Sequence, residues 1–228
     1  MLSISIIIPV LNEEVSIGPC LDSIARDAVI EIIVVDGGSV DKTIPEAQKR
    51  KVKIMTSAPG RGTQQHAGAK IARGDTLLFL HCDTRLPRNF AQTIEKILHQ
   101  KTVAAGAFRL AIDATGAGYR LVEWGVNIRS RLCKLPYGDQ ALFLSRERYF
   151  SVGGFPEEPI MEDVALVCQL KKTGAIALAD SAVITSARRW KKHGILHTML
   201  INQFMLAGRM MGIPAARLAR WYSAKKSP

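Results

Sequence analysis

Ile30-Glu31-Ile32-Ile33-Val34-Val35-Asp36-Gly37-Gly38-Ser39 decides the fold: an apolar, β-branched run stops at a carboxylate followed by two glycines. Upstream, residues 4–10 form a second apolar run that opens into Leu11-Asn12-Glu13-Glu14. Downstream, residues 76–80 hand over to His81-Cys82-Asp83-Thr84. Short apolar runs bounded by turn residues read as buried strands. Strands that alternate with helical spacings predict a mostly parallel sheet. In such sheets ligands bind in the crevice beyond the carboxyl ends of the strands. Asp36 and Asp83 arrive at that crevice on strand ends, and Glu162-Asp163 adds carboxylates from farther along. This disposition points to a nucleotide and a metal ion held beside a catalytic base.

The remaining elements follow by period and punctuation. Val15, Ile17, Leu21, Ile24 and Ala25 recur at helical spacing. Asp41 is placed to cap a helix reaching residue 50. Residues 52–55 read as a third strand and 63–72 as a small-residue helix, with Gly74 as its C-cap. A strand at 77–80 precedes an amphipathic helix marked by Phe90, Ile94, Ile97 and Leu98. After Lys101 the rhythm changes. Residues 103–111 read as a strand, 119–132 as a helix and 141–144 as a short strand. A helix starts at Ser145 and a turn follows at Gly153-Gly154. Residues 163–172 read as a helix, 176–184 as a last strand, and 194–211 as a helix apolar over much of its surface.

The chain has 228 residues, enough for one α/β domain and marginal for two. Apolar residues make up 47% and the formal net charge is +11. Nine basic and no acidic residues lie between Ser181 and Pro228. Such an end meets anionic lipid, a phosphorylated ligand or nucleic acid, or is a solvated tail. Nucleic acid is set aside, because no motif or aromatic stacking platform accompanies the charge. Cys20, Cys82, Cys133 and Cys168 form no C-x-x-C pair, which argues against zinc and for free thiols in a reducing compartment. The N-terminus lacks a basic leader region and reads as a first strand. No apolar stretch reaches the roughly 18 residues of a membrane span. The expectation is a cytoplasmic protein, with peripheral contact at the inner face of the membrane as a second option.

Several segments in order resemble a known family. They are Ile6-Ile7-Ile8-Pro9-Val10-Leu11-Asn12-Glu13-Glu14, Val34-Val35-Asp36-Gly37-Gly38-Ser39-Val40-Asp41-Lys42-Thr43, Phe79-Leu80-His81-Cys82-Asp83, Gly153-Gly154-Phe155 and Met161-Glu162-Asp163. Order and spacing together resemble family-2 glycosyltransferases of the GT-A fold. Pro136-Tyr137-Gly138-Asp139-Gln140 resembles a small cytosolic subgroup without transmembrane helices. The resemblance implies an α/β, Rossmann-like, mostly parallel sheet flanked by helices, with a C-terminal helical segment. It implies a single domain over 1–228: about 1–101 for the nucleotide sugar, about 102–193 for acceptor and catalysis, about 194–228 a helix and basic tail. It further implies inverting transfer from a nucleotide-diphosphate sugar, a UDP-sugar above all, with Mn2+ or Mg2+. The acceptor stays open, with a lipid or lipid-linked molecule among the candidates.

Residue by residue, the resemblance assigns Pro9, Asn12 and Glu14 to the donor nucleoside; Asn12 as a simple helix cap is the competing reading. Asp36 is assigned to the base or ribose, beside glycines that let the backbone pass close. Ser39 and Asp41 read as structural. Arg61, in a glycine-rich turn at a helix start, is set to meet the diphosphate, or to be a solvated arginine. Asp83 matches the second aspartate of the Asp-x-Asp metal motif and is the metal ligand. His81 replaces the first aspartate. It is read either as an imidazole ligand, which manganese accepts, or as packing at the strand end. Asp163 is the general base and Glu162 shapes the site. Asp139 and Gln140 contact the acceptor, close the donor site or fix a turn. Arg189 and Trp190 resemble part of a Gln-x-x-Arg-Trp motif that binds diphosphate and floors the acceptor site.

The chain departs from the family at three points. His66 stands where asparagine is common, His81 where aspartate is, and Ser186 where the glutamine of the last motif would fall. The loss of that glutamine argues against processive synthesis. A non-catalytic nucleotide-sugar binder with a degenerate metal site is the alternative. A sugar-phosphate nucleotidyltransferase is disfavoured, because residues 11–14 lack its basic glycine-rich loop. Finally, Arg217, Arg220, Lys225 and Lys226, interleaved with Trp221 and Tyr222, suit a lipid interface. For residues 195–211 a helix simply packed on the sheet is the equal alternative.

Overall fold

A computed structural model of the chain describes residues 3–24 and 30–224, with side chains through 222. Eight strands form one sheet: β1 (Ile4–Val10), β2 (Ile30–Asp36), β3 (Lys53–Thr56), β4 (Thr76–Phe79), β5 (Thr84–Arg85), β6 (Val103–Asp113), β7 (Phe143–Ser145) and β8 (Ala175–Ser186). Their order is β3-β2-β1-β4-β7-β6-β8-β5. The pairs β3–β2, β2–β1, β1–β4 and β6–β8 are parallel, while β7 runs antiparallel to both β4 and β6, and β5 antiparallel to β8. The parallel block directs the carboxyl ends of β1, β2 and β4 the same way. Their strands are buried on both faces, which is why they read as unbroken apolar runs.

The helices described are α1 (Ile17–Asp22), α2 (Thr43–Gln48), α3 (Arg61–Ile71), α4 (Phe90–Leu98), α5 (Ala117–Leu132), α6 (Arg146–Ser151), α7 (Glu162–Leu170), α8 (Arg188–His193), α9 (Ile195–Met210) and α10 (Ala215–Ala224). A single 3-10 turn occupies Gly138–Gln140. Two apolar layers cover the sheet. One gathers Ile6, Ile8, Leu78 and Phe108 with α1 and α4. The other gathers Ile7, Val35, Phe79 and Tyr149 with α3, α7 and buried residues of α9.

Some local expectations change. Gly74 does not cap α3, whose C-cap is Ala72. A Cβ on Gly74 would stand 2.6 Å from the Ser5 nitrogen, so its glycine serves a close backbone approach to β1. Val15 is exposed and α1 starts only at Ile17. Two residues of β5 are too short to show a period. Ala25, Lys225 and Lys226 lie outside the described residues.

Helix α3 seats on β1 and β2 through Gly68. A Cβ there would lie 2.6 Å from Ile7 Cγ2 and 2.9 Å from Val35 Cγ2, both on fully buried, β-branched side chains. Gly68→Ala should therefore destabilise the protein. Overpacking costs about 1–3 kcal/mol, more than the about 1 kcal/mol alanine gains over glycine in a helix. Urea unfolding should show a lower midpoint; an unchanged or higher midpoint would refute this seating.

Candidate active site

The loops leaving β1 and β2 are laced together by side chains meeting amides. Asn12, in left-handed conformation at φ 55°, accepts from the Val40 N–H at 2.9 Å, and its own N–H donates to Ser39 Oγ at 2.9 Å. Glu14 accepts from the Lys42 N–H at 3.0 Å, and Asp41 accepts from the Glu14 N–H at 3.1 Å. Asp36, buried at the end of β2, accepts from the amides of Gly38 and Ser39 and from Ser39 Oγ. Pro9 lies within β1, in register with Val35. Asn12, Glu14 and Asp36 thus shape the crevice wall with their side chains. Gln64, which no sequence pattern flagged, ties the strand ends together: its Nε2 donates to the Val10 and Val35 carbonyls, each at 2.8 Å.

Beyond the end of β4, charged groups crowd. Burial pushes the Asp83 carboxyl up, and Glu13 adds to it, while Arg188 and Arg61 draw it back. Arg188 donates to Glu13 Oε1 at 2.7 Å, and Glu13 Oε2 is buried with no partner among the described residues. His81 Nε2 is likewise buried and unpartnered. Burial, then the nearby Arg61, hold that imidazole well below its usual range, so it is neutral. A Cβ on Gly138 would stand 3.0 Å from His81 Nε2 and 3.3 Å from Asp163 Oδ2. The bare backbone of Gly138 is what lets β4, the 3-10 turn and α7 meet.

Asp163, in the first turn of α7, accepts from the Gly138 N–H at 2.6 Å and the Val164 N–H at 2.8 Å. A carboxylate has about four lone-pair sites, so the two amides fix its orientation and leave it capacity to accept another proton donor. Burial and then Asp163 push the neighbouring Glu162 up, with Arg61 opposing. Asp139 is raised to about 6, first by burial and also by Asp163 and Asp83, against Arg129 and Arg189. Its Oδ1 is buried without a partner among the described residues. Asp83, Asp139, Glu162, Asp163 and His81 therefore share one electrostatic neighbourhood with Arg61, Arg188 and Arg189.

Other residues singled out by sequence fall elsewhere. Gln140 is fully buried and fixes the turn: its Oε1 accepts from Ser130 Oγ and the Tyr137 N–H, and its Nε2 donates to the Phe108 carbonyl. That leaves it no role as an acceptor or diphosphate contact. Trp190 packs in the core and offers no open stacking floor. Arg189, by contrast, stays near enough to Asp139 to draw its carboxyl down; it is exposed and donates to Asn202 Oδ1 at 2.8 Å. His66 is a structural residue, its Nδ1 2.9 Å from the Tyr149 hydroxyl. Glu13 and Gly138 carry parts of the site, although no sequence pattern singled out either one. Glu13 was visible only as one acid of a pair, and the crowding at Gly138 depends on tertiary approach.

Among the described residues no three His, Cys, Asp or Glu side chains converge on a closed metal site. The groups present fit an open one. Asp83, beside Glu13, with His81 Nε2 and Asp139 Oδ1 in the same crevice and without a partner among the described residues, offers the carboxylate and imidazole groups that such a site uses. Magnesium-type sites commonly take one or two carboxylates and complete their shell with substrate phosphates and water.

A parallel block continued by β7, β6 and β8, with this crevice at its strand ends, is the architecture of the GT-A glycosyltransferases. S. aureus TarS superposes with a TM-score of 0.64 at 18% identity, over 81% of this chain and 60% of that one. Glucosyl-3-phosphoglycerate synthase from Mycobacterium tuberculosis, solved with Mn2+, uridine diphosphate and phosphoglyceric acid, gives 0.59 at 23% identity, over 78% and 68%. The sequence profile of glycosyl transferase family 2 matches residues 5–155, and the chain belongs to that family. A PGL/p-HBAD biosynthesis glycosyltransferase of Mycobacterium tuberculosis is 37% identical over 91 residues, 36% of each chain. The match thus spans little more than a third of that relative's length.

The raised Asp139 makes a test of the crevice electrostatics. A carboxyl whose folded value lies above its unfolded one binds more protons when folded. Stability from this group is then greatest below pH about 4 and is lost as pH rises toward 6. Asp139→Asn should therefore raise the melting temperature by a few degrees at pH 7.5 and bring no gain at pH 4. An equal shift at both pH values would show that Asp139 is not under this pressure.

Proposed function

We propose that the crevice transfers a sugar, with inversion, from a nucleotide-diphosphate sugar to an acceptor hydroxyl. The observation that carries this reading is the meeting of Asp163 with the His81–Asp83 strand end across Gly138. In this reading Asp163 takes the proton of the acceptor hydroxyl. The freed oxygen forms a bond to the anomeric carbon as the bond from that carbon to the diphosphate oxygen breaks. The nucleoside diphosphate leaves on the opposite face. Residues about 1–101 hold the donor and about 102–193 carry the acceptor side. Asp36, Asn12 and Glu14 shape the nucleoside wall, and Arg61 and Arg188 face the diphosphate charge.

Asp83 would hold a divalent cation, Mn2+ or Mg2+, with His81 as a second ligand that favours manganese. Such an ion neutralises charge developing on the leaving diphosphate. The Mn2+ and uridine diphosphate bound by the mycobacterial synthase support manganese and uridine here. Glu162, pushed toward its neutral form, limits the negative charge beside Asp163.

Asp163→Asn should keep donor affinity and lower transfer by about 10²–10⁴-fold, the usual worth of a general base. Equal loss of donor affinity and turnover would place Asp163 in the donor site instead. If wild-type chain binds nucleotide sugars but neither transfers nor hydrolyses them, it is a non-catalytic binder. Asp83→Ala should abolish the metal dependence of nucleoside-diphosphate binding in calorimetry run with and without Mn2+. Unchanged dependence would remove Asp83 as the metal ligand.

A further inference from the structure

Two helices in contact leave large apolar side chains in solvent. On α5, Leu121, Trp124, Ile128 and Leu132 follow one another at helical spacing, with Trp124 63% and Leu132 75% exposed. The opposite side of α5 packs inward through Val122 and Ser130. On α9, Leu196 and Leu200 are 71% and 61% exposed, while Thr198, Met205 and Leu206 are buried. The two helices touch at their first turns, where a Cβ on Gly118 would lie 2.9 Å from Ile195 Cδ1. Phe204 continues the α9 stripe and its ring lies 5.8 Å from that of Trp221 on α10. An amphipathic helix buries its apolar stripe in a core; these two present apolar stripes on their outer sides as well. Exposed apolar area of this kind marks an interaction surface.

The charge around it indicates what covers it. Lys191 and Lys192 are exposed immediately before α9, Arg131 lies exposed at the end of α5, and Arg217 and Arg220 are exposed on α10. No acidic residue occurs from Ser181 onward. The one acid on α5, Glu123, is 3.0 Å from Arg120 and accepts from the Ile112 N–H. A second copy would bring the same uncompensated positive charge to the contact. An anionic bilayer surface offers the opposite charge, and tryptophan favours its headgroup region. Among the described residues no helix is long and apolar enough to cross a membrane, so these helices would lie on the surface.

We propose that the apolar faces of α5 and α9, with their basic surround, dock this protein reversibly on anionic membrane. This surface extends the C-terminal one that the sequence suggested, residues 195–211 with the basic tail, by adding the apolar face of α5 from far earlier in the chain. Both helices also border the crevice. Arg129 of α5 lies 3.6 Å over the Tyr137 ring beside Asp139, and Asn202 of α9 holds Arg189. Docking there brings the acceptor side to the bilayer, and a lipid-carried acceptor follows. That consequence alone rests on the transfer reading; membrane binding does not need it.

Co-sedimentation of the full chain with phosphatidylcholine vesicles, with and without phosphatidylglycerol, tests the proposal without any donor. Binding should require the anionic lipid and fall with salt. Lys191→Gln with Lys192→Gln should weaken it by roughly 30-fold, from the contribution of each basic residue near an anionic surface. Trp124→Ser with Leu200→Gln, both exposed and remote from the chemistry, should also weaken it while leaving the melting temperature unchanged. No binding by the full chain at low salt overturns the proposal. So does binding that both double variants retain. A dimer in sedimentation velocity that the Trp124/Leu200 variant dissociates, without vesicle binding, would assign the surface to a second copy instead.

Discussion

Helix α3 sits on β1 and β2 because Gly68 has no side chain to hold it off, and the geometry of the crevice follows from that contact. With the helix this close, Gln64 reaches both strand-end carbonyls, Val10 and Val35, from inside the protein. Two buried carbonyls at diverging loops would each cost about 1–3 kcal/mol if left without a partner. One amide group satisfies both and fixes where the loops begin. Six residues earlier, at the same helix's start, Gly62 lets α7 approach: a Cβ there would stand 3.1 Å from Glu162. Arg61, the first residue of α3, is thereby set among His81, Asp83 and Glu162. One close-packed helix relates the nucleotide side of the sheet to the carboxylates at the start of α7.

Those carboxylates are held under a tension that the surrounding arginines relieve only in part. Asp83, Asp139 and Glu162 are each pushed up by burial and by a nearby acid, Glu13 for Asp83, Asp163 for Glu162, and Asp163 with Asp83 for Asp139. The arginines that could cancel this are partly occupied: Arg188 by Glu13, Arg189 by Asn202, Arg129 by the Tyr137 ring. Buried polar groups are almost always satisfied in native proteins. Three such groups without a partner among the described residues, Glu13 Oε2, His81 Nε2 and Asp139 Oδ1, lie in this crevice and support the proposed ligand site. Mutual repulsion among carboxylates favours a cation, and three arginines around them favour an anion. In the proposed reading a metal-bound diphosphate would meet both demands at once.

The fold was legible in the sequence where burial on both faces produced unbroken apolar runs, as in β1, β2 and β4. Helices α5, α7 and α9 were legible from their spacing. The two-residue strand β5 carries no period, and Gly74 resembled a cap because glycine serves caps and close approaches alike. The candidate crevice was legible as carboxylates at strand ends, since a strand end fixes where its next residue goes. Gln140 and Trp190 could not be placed that way. Both sit in motifs whose pattern fits a ligand contact, yet the hydrogen bonds of one and the packing of the other are internal. Gln64 and Gly138 were illegible for a different reason. Their roles depend on which atoms approach from far along the chain, and local sequence does not encode that distance.

The same limit governs the outer surface. Periodicity identifies an apolar stripe but not which side of a helix finds the core. On α5 the inner side takes Val122 and Ser130 and leaves Trp124 outside; on α9 it takes Thr198, Met205 and Leu206 and leaves Leu200 outside. A helix lying on a finished core has one inward face, so apolar residues beyond that face need a second partner. Two adjoining helices meeting this condition, in a region with basic residues and almost no acidic ones, extend the argument from the crevice to its surroundings. In both places the protein leaves something uncompensated. Inside it is charge and hydrogen-bonding capacity, which the proposed donor and its metal would match; outside it is apolar area with positive charge, which the proposed anionic interface would match.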